Sequence, residues 1–331
     1  MGKDDVTFAE KAGEIALFSV AEVRNLFENA AEIYGEDRYR HAQMLLKGIA
    51  ENPDRRAASK APTKVFFESL RQSFPNFNEV IDALDEARAL SELTTNSWFH
   101  TPPLLLVGAA GIGKTAFAHA LAKGLDVDFN RFDIATTTMA SALGGLSFGW
   151  GGGHIGQIFN GMIKSKTVNP LFMPDEVDKG RGHDFSPITP LLLALLEKES
   201  AASFKDEAIL LSLNCSHINW IATANDINLM SEPLLSRFNI VNVHAPSSQQ
   251  MPLVIKSIYF KLLKANPWGK SFSENLEINV IDKLSSMNPR EIQIELKLAF
   301  EKVAIMRRNT IEPSDICLKK LPIKNRIGFL L

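Results

Sequence analysis

Cysteine is scarce in this sequence: the 331 residues include only two, Cys215 and Cys317, and these lie far apart in the chain. The cysteines of zinc sites and of small disulfide frameworks come in closely spaced groups. We therefore expect no structural zinc site and no disulfide, and we expect both thiols to be reduced and buried. Reduced cysteines are typical of a reducing compartment, so a cytoplasmic location is predicted.

Long apolar runs and a strong net charge are also absent. No apolar stretch approaches the roughly 18 residues that a membrane-spanning helix needs, and the first residues do not have the basic and apolar segments of a signal peptide. Lys and Arg together number 36 and Asp and Glu 38, so the net charge is only −2. This pattern predicts no membrane partner and no overall attraction for nucleic acid. The net charge does not exclude a local basic patch.

A glycine-rich motif stands between an apolar run and a helix-forming run. Residues 108–115 read Gly-Ala-Ala-Gly-Ile-Gly-Lys-Thr, which fits the phosphate-binding pattern G-x-x-x-x-G-K-[ST]. In such a loop the backbone N–H groups surround a phosphate, the Lys114 ammonium reaches the β- and γ-phosphates, and the Thr115 hydroxyl binds Mg²⁺. The alternative, an ordinary glycine-rich turn, does not account for the Lys-Thr pair. The predicted nucleotide-binding residues are Gly108, Ala109, Ala110, Gly111, Ile112, Gly113, Lys114, Thr115 and Ala116.

Two acidic residues end an apolar segment further along the chain. Asp175 and Glu176 follow Leu-Phe-Met-Pro at residues 171–174. In nucleotide hydrolases this pattern, known as Walker B, supplies an Asp to the Mg²⁺ shell and a Glu that orients the attacking water. We assign these roles to Asp175 and Glu176, although two adjacent acids also occur by chance. Pro174 is unusual because proline cannot donate a hydrogen bond within a sheet, so we expect it where the strand ends.

Three polar residues downstream are candidates for the same site. Asn225 follows the strand-like segment 218–224, and the carboxyl ends of parallel strands face the ligand in α/β sheets. Asn225 therefore either positions the lytic water or simply forms a turn. Arg237 ends a short helical turn and Arg290 lies in the first turn of a helix. Taken alone, both arginines read as surface charges, with Arg290 also within plausible reach of a γ-phosphate.

A glycine-rich stretch over residues 144–156 contains Trp150. Glycine-rich segments lose much conformational entropy when they become ordered, and a Trp among glycines cannot be buried by its neighbours. The stretch is therefore either a flexible spacer or a mobile element that presents Trp150 for contact.

Helical periodicity marks both ends of the chain. We expect a helical N-terminal extension over residues 1–62, a nucleotide-binding α/β core over 63–245 and a helical lid over 246–331. Phe74 and Phe77 precede the strand that leads into the glycine motif, and they either contact a bound adenine or belong to the hydrophobic core.

In this order the motifs resemble those of AAA+ ATPases, and more narrowly those of the ATPase module of Lon proteases. Three passages carry the resemblance: residues 169–179, residues 204–206 leading to 220–225, and residues 232–238. The resemblance implies an α/β fold, namely a P-loop AAA+ three-layer core around a parallel sheet, with a small all-helical C-terminal lid domain. It also implies ATP and Mg²⁺ as cofactors.

The same resemblance implies a role for each remaining candidate. Asn225 corresponds to the sensor-1 residue, Arg290 to sensor 2, and Arg237 to the arginine finger that completes the site of a neighbouring subunit. An arginine finger implies a homo-oligomeric ring, normally a hexamer in this family. Trp150 falls on the pore-loop aromatic that grips a polypeptide, although this loop is richer in glycine than the family pattern.

The predicted function is Mg²⁺-dependent ATP hydrolysis by a ring that remodels or threads a protein partner. Because the sequence ends at residues 323–331, where a Lon-type enzyme would begin its protease domain, we expect no peptidase activity. Two alternatives stay open. One is a nucleic-acid motor or loader, which the neutral charge disfavours, and the other is a nucleotide-dependent switch that recruits an effector.

Overall fold

A computed structural model describes residues 13–35, 38–94, 96, 98–137, 139–150, 152–180 and 188–317. The expectations about the first residues and about residues 323–331 lie outside these ranges. By contacts the chain divides into two compact units. The first comprises Met1–Ala110 and Lys114–His244, and the second comprises Gly111–Gly113 and Ala245–Leu331. The three-part division from the sequence stays a prediction.

The described residues form nine strands, most of them short. They are β1 (Ile15–Ala16), β2 (Arg55–Arg56), β3 (Leu104–Val107), β4 (Phe129–Asp133), β5 (Leu171–Asp175), β6 (Phe204–Lys205), β7 (Ser212–Leu213), β8 (Asn219–Ala224) and β9 (Asn239–Asn242). Five of them make a parallel sheet in the order β4-β5-β8-β3-β9. Strands buried on both faces of a parallel sheet read as continuous apolar runs, and β3, Leu-Leu-Leu-Val, is such a run.

Fourteen helices are present in the described part of the chain. They are α1 (Val20–Glu28), α2 (Ala30–Tyr34), α3 (Tyr39–Ala50), α4 (Lys64–Ser73), α5 (Asn78–Glu92), α6 (Lys114–Leu125), α7 (Ser141–Gly144), α8 (Gln157–Lys164), α9 (Ile188–Leu196), α10 (Lys198–Ala201), α11 (Glu232–Leu235), α12 (Met251–Ala265), α13 (Ile278–Leu284) and α14 (Pro289–Ile305).

The register of the sheet decides which loops meet. Val107 at the end of β3 pairs with Ala224 at the end of β8, and Asp133 at the end of β4 pairs with Asp175 at the end of β5. Parallel strands end at the same edge, so the segments that follow β3, β5 and β8 are neighbours. This edge carries the candidate site.

Pro174 lies where it removes no ladder hydrogen bond. The carbonyl of Asp175 accepts from the Ile134 N–H at 2.9 Å, so Asp175 faces β4. Hydrogen-bonding groups alternate sides along a strand, and Pro174 therefore faces β8. The pairing of β5 with β8 ends at Phe172 and Trp220, before Pro174 is reached. The missing N–H thus falls beyond the ladder, as expected.

The N-terminal helices share the hydrophobic core of the first unit. Leu17 and Leu46 belong to the same buried cluster as Phe172 and Trp220 of the sheet. At the start of α1, Ser19 caps the helix by accepting from the Glu22 N–H at 3.3 Å. The Glu22 carboxylate does not complete a capping box but accepts from Ser212 at 3.0 Å, which joins α1 to β7.

Phe77 is a core residue. It is 1% exposed and stacks on Phe117 of α6 with ring centroids 4.6 Å apart, while Phe74 meets both rings edge-on. Of the two interpretations from the sequence, the structure therefore supports core packing for these aromatics.

The second unit has a hydrophobic core of its own, formed by α12, α13 and α14. Pro289 occupies the first turn of α14, and Asn288 and Glu291 form a reciprocal capping box there. Tyr259 of α12 stacks on Phe300 of α14 at 5.4 Å.

In the part of the chain that the structure describes, no helix combines the length and the apolar character needed to cross a bilayer. Both cysteines are free thiols. Cys215 is buried, but Cys317 is exposed, so the expectation of burial was wrong for Cys317. Cys317 follows a short 3₁₀ turn at the edge of the second unit rather than an apolar strand or helix.

Asp206 is a fully buried carboxylate that holds two loops together. Its Oδ2 accepts from the Gly156 N–H at 2.8 Å and its Oδ1 from the Ala208 N–H at 2.9 Å. Burial nevertheless dominates and raises the pKa of Asp206 to about 6. Ionising Asp206 is therefore harder in the folded protein than in the unfolded chain.

We predict that this carboxylate makes stability depend on pH. As pH rises, Asp206 loses its proton in the unfolded chain before it does so in the folded protein. Its contribution to the free energy of unfolding is therefore fully present below about pH 4 and is lost as pH rises to about 6. Relative to Asp206→Asn, which cannot titrate, the wild-type free energy of unfolding should fall by about 3 kcal/mol over this interval. Urea titrations of both proteins at several pH values measure the difference. A difference that does not change with pH would contradict the prediction.

Candidate functional site

The glycine motif forms the turn between β3 and α6. Gly111 and Gly113 have φ angles of +84° and +109°, in the left-handed region that side chains disfavour. Turns of this kind bring successive backbone N–H groups together into an anion-binding concavity, and α6 begins at Lys114. The strand, loop and helix predicted from the sequence are therefore present, with glycine at the positions that need it.

Lys114 is 9% exposed and contacts three predicted site residues. Its Nζ donates to the carbonyls of Gly108 and of Ala109, the latter at 3.1 Å, and to Asn225 Oδ1 at 3.2 Å. This contact follows from the sheet register, because residues 108 and 225 each come directly after a paired strand end. Asn225 therefore faces the loop instead of solvent.

Asp175 is contacted by three side chains of the site. Its side chain is 9% exposed. Thr115 Oγ1 lies 3.4 Å from Oδ2, and the Thr223 hydroxyl donates to Oδ1. Arg131 donates to Oδ2 through Nε at 2.8 Å and also approaches it through a terminal nitrogen at 2.7 Å. The structure thus brings Thr115 and Asp175 together.

Thr223 and Arg131 are site residues that the sequence analysis missed. Thr223 is a polar residue between two alanines near the end of strand β8, which is a signal that the sequence does show. Its hydroxyl also accepts from the Glu176 N–H at 3.0 Å and so links both acids. Arg131 gave no such signal, because only the pairing of β4 with β5 puts it beside Asp175.

Glu176 has an unusual backbone conformation. Its φ and ψ are 57° and 47°, in the left-handed region, which is costly for a residue with a side chain. The conformation turns the chain sharply after β5. The carboxylate contacts the Lys179 ammonium, and this hydrogen bond raises the pKa of Lys179. Strained backbone of this kind clusters at functional sites, and here it sits at the predicted catalytic acid.

Asp178 connects the turn after β5 with the residue that follows Asn225. It is 4% exposed, and its Oδ2 accepts from the Asp226 N–H at 3.4 Å. Its Oδ1 has no hydrogen-bond donor among the described residues. The contact fixes the spacing between the segments that carry Glu176 and Asn225.

The two predicted arginines have different surroundings. Arg237 follows α11 and lies 3.6 Å from the Glu197 carboxylate, with its side chain 37% exposed. In the described part of the chain its side chain contacts Glu197 and Ser236, not the glycine loop. Arg290 is an exposed residue in the first turn of α14. Within the second unit, a Cβ placed on Gly111 would lie 3.5 Å from Arg290 Cβ.

Trp150 stands at the tip of a hairpin. Leu146 and His154 exchange two backbone hydrogen bonds at 2.8 and 3.0 Å, and Trp150 between them is 71% exposed. Phe148 points the other way and is 5% exposed, with its ring 5.0 Å from that of His41 and 6.2 Å from that of Tyr34. The glycine-rich stretch is therefore anchored on the N-terminal helices and presents one aromatic side chain.

Comparisons with known proteins show which proteins this chain is similar to. Residues 104–244 match the ATPase family associated with various cellular activities (AAA). The mitochondrial Lon protease homolog of Aspergillus fumigatus is 30% identical over 202 residues, which are 60% of this chain and 18% of that protein. The Lon protease of Bacillus thuringiensis is 31% identical over 176 residues, 53% of this chain and 22% of that protein. The chain thus spans about a fifth of the length of these relatives.

The fold also matches solved structures. A chain of the S. cerevisiae Hsp104:casein complex in its extended conformation covers 86% of this chain, with 53% of its own length matched, at a TM-score of 0.59 and 16% identity. This similarity concerns the fold alone, and it confirms the predicted parallel sheet flanked by helices. Residues 104–244 are an AAA ATPase domain, and the chain is related in sequence to the ATPase region of Lon proteases.

Proposed function

We propose that this chain hydrolyses ATP with Mg²⁺ and that, as a ring of identical subunits, it uses the energy to remodel or thread a protein partner. The observation that carries the proposal is the meeting of four predicted residues at one sheet edge. Lys114 contacts Asn225, and Thr115 lies 3.4 Å from Asp175. These are the side chains that phosphoryl transfer requires around a triphosphate.

The donor set suits magnesium. Thr115 offers a hydroxyl oxygen and Asp175 a carboxylate oxygen, and both are hard ligands of the kind that Mg²⁺ prefers. In P-loop sites Mg²⁺ takes one or two such protein ligands and completes its shell with phosphate oxygens and water. Bound there, Mg²⁺ would neutralise charge on the β- and γ-phosphates. Thr115 and Asp175 are the residues that would hold it.

The remaining side chains position and polarise the reactants. Lys114 is desolvated and aimed at the loop, where its ammonium would bind the β- and γ-phosphates. Glu176 would accept a proton from the attacking water. This role requires the Glu176 carboxylate to break its contact with Lys179 and turn towards the water. Asn225 would hold the same water from the other side, with its amide fixed against Lys114.

Arg237 and Arg290 complete the proposal as charge-stabilising groups. The half-exposed Arg237 side chain contacts the exposed Glu197 and, in the described part of the chain, not the glycine loop of its own subunit, as a residue that serves a neighbouring subunit should. This role requires a ring, for which a hexamer is the expectation from the family resemblance. Arg290, at the start of α14, is proposed to contact the γ-phosphate.

The exposed Trp150 supports a polypeptide as the partner. An aromatic ring at the tip of a hairpin offers a large apolar contact that does not depend on the sequence of the bound polypeptide. Phe148 and Asp206 fix the base of the hairpin. The relatives named above are proteases, but peptidase activity stays a property of those proteins, since the matches cover about a fifth of their length. Two free cysteines are compatible with the proposed cytoplasmic location.

Glu176→Gln should bind ATP with unchanged affinity and hydrolyse it at least about a hundredfold more slowly, because the amide cannot accept the proton of the water. Single-turnover hydrolysis and fluorescent-nucleotide titration separate the two effects. Asp282→Asn, an exposed change in the second unit, is the control and should behave as wild type. Undiminished hydrolysis by Glu176→Gln would overturn the catalytic assignment.

Arg237→Ala should lose about 10³-fold or more in turnover, as removal of an arginine finger does. Lys114→Ala subunits are also inactive but retain Arg237. Mixing the two inactive proteins should therefore restore part of the activity, because some sites then combine an intact loop with an intact finger. Steady-state ATPase assays across mixing ratios give the result, and no recovery at any ratio would argue against shared sites.

Trp150→Ala in the Glu176→Gln background should capture an unfolded protein such as casein at least about tenfold more weakly in the presence of ATP, since the exposed ring is its contact. Trp268→Ala, which removes a partly exposed ring from the second unit, is the matched control. Pull-down with labelled casein and with single-stranded DNA measures both partners. Equal capture by the two variants would exclude a gripping role, and preferential capture of DNA would favour the nucleic-acid alternative.

A further inference from the structure

The positively charged guanidinium of Arg131 lies next to the Asp175 carboxylate oxygen that faces Thr115. Two guanidinium nitrogens, Nε and a terminal nitrogen, lie 2.8 and 2.7 Å from Asp175 Oδ2. The Thr115 hydroxyl lies 3.4 Å from the same Oδ2. The other carboxylate oxygen, Oδ1, is occupied by Thr223. Arg131 and Thr115 therefore both lie beside the same oxygen, Oδ2.

This arrangement satisfies a buried charge. The Asp175 side chain is only 9% exposed, and a carboxylate so far removed from water needs a counter-ion or strong donors. Arg131 supplies both, because its two nitrogens make charge-assisted contacts to one oxygen. In the described structure Arg131 thus does for Asp175 what a bound cation would do.

Arg131 is also placed so that it can leave. Its side chain is 48% exposed, and β4 is one of the two edge strands of the five-stranded sheet. The half-exposed guanidinium can therefore move fully into water, whereas the buried Asp175 carboxylate cannot. Two cations on one carboxylate oxygen repel each other, so the pair with Arg131 weakens when another cation is held by Oδ2 and Thr115.

We infer that Arg131 is a displaceable counter-ion of the proposed magnesium site: it neutralises Asp175 when no nucleotide is bound and releases Oδ2 when magnesium and nucleotide bind together. The inference rests on the proposed function and adds a positioning residue to it. Its consequence is that the apo site is stable and less prone to take up free Mg²⁺, while magnesium–nucleotide must compete with Arg131.

The test compares nucleotide affinity with and without magnesium in the Glu176→Gln background, which prevents turnover. A fluorescent ATP analogue is titrated in EDTA and in saturating Mg²⁺. The dissociation constant in EDTA divided by that in Mg²⁺ measures the coupling between metal and nucleotide. Arg131→Gln should raise this ratio about tenfold, the effect of one charge-assisted, half-exposed pair. Magnesium-bound nucleotide then gains affinity, while metal-free nucleotide meets an unneutralised Asp175 and loses it.

Matched variants separate the inference from general damage. Arg71→Gln breaks another Arg–Asp pair of the first unit, whose Arg71–Asp82 distance is 2.7 Å, and should leave the ratio unchanged. Asp175→Asn should remove the effect of Arg131→Gln, as a double-mutant cycle requires for two residues that act through each other. Without nucleotide or metal, Arg131→Gln should unfold at a lower temperature than wild type. Should Arg131→Gln not fold, Arg131→Lys, which keeps one donor and the charge, should raise the ratio by a smaller factor.

The possible failures are distinct. If wild type binds nucleotide equally well in EDTA and in Mg²⁺, the proposed magnesium function fails and the inference falls with it. If wild type depends on Mg²⁺ but Arg131→Gln leaves the ratio unchanged, the inference alone is wrong. A lower ratio in Arg131→Gln would overturn it as well and would show that Arg131 orients Asp175 for the metal.

Discussion

The site depends on the contacts made to the buried carboxylate of Asp175. It takes Thr223 from the neighbouring strand, Arg131 from the edge strand and Thr115 from the helix after the glycine loop. Three separate segments of the first unit are thereby fixed relative to one another within hydrogen-bond distance of one group. Because a buried carboxylate without donors is strongly destabilising, the fold and the site are stabilised by the same contacts.

The sheet edge extends this arrangement to the catalytic candidates. Thr223 hydrogen-bonds the Glu176 N–H, and Asp178 accepts from the residue after Asn225. Both links run between the ends of β5 and β8. The left-handed backbone at Glu176 is held in place by these flanking bonds, which is how a strained residue persists in a folded protein. The backbone segments that carry the acid and the amide are thus tied together by these two bonds.

The N-terminal helices have a clearer structural role than their sequence suggested. They complete the core of the first unit, and His41 and Tyr34 receive the buried Phe148 of the hairpin. One side of the hairpin is therefore ordered by apolar packing while Trp150 stays in solvent. Glycine permits the tight hairpin, and the burial of Phe148 together with the hydrogen bond that Asp206 accepts offsets its entropic cost.

Short-range chemistry in the sequence determined the glycine loop, the strand before it and the acidic pair, because each depends on residues within one turn or one strand. The sequence also placed Trp150 in solvent, since glycine neighbours cannot bury it. Arg131 and the Phe148–His41 contact came only from the tertiary structure, because they depend on strand register and on packing between segments far apart in the chain. Local pattern fixes what an element is, whereas long-range pairing decides which side chains meet.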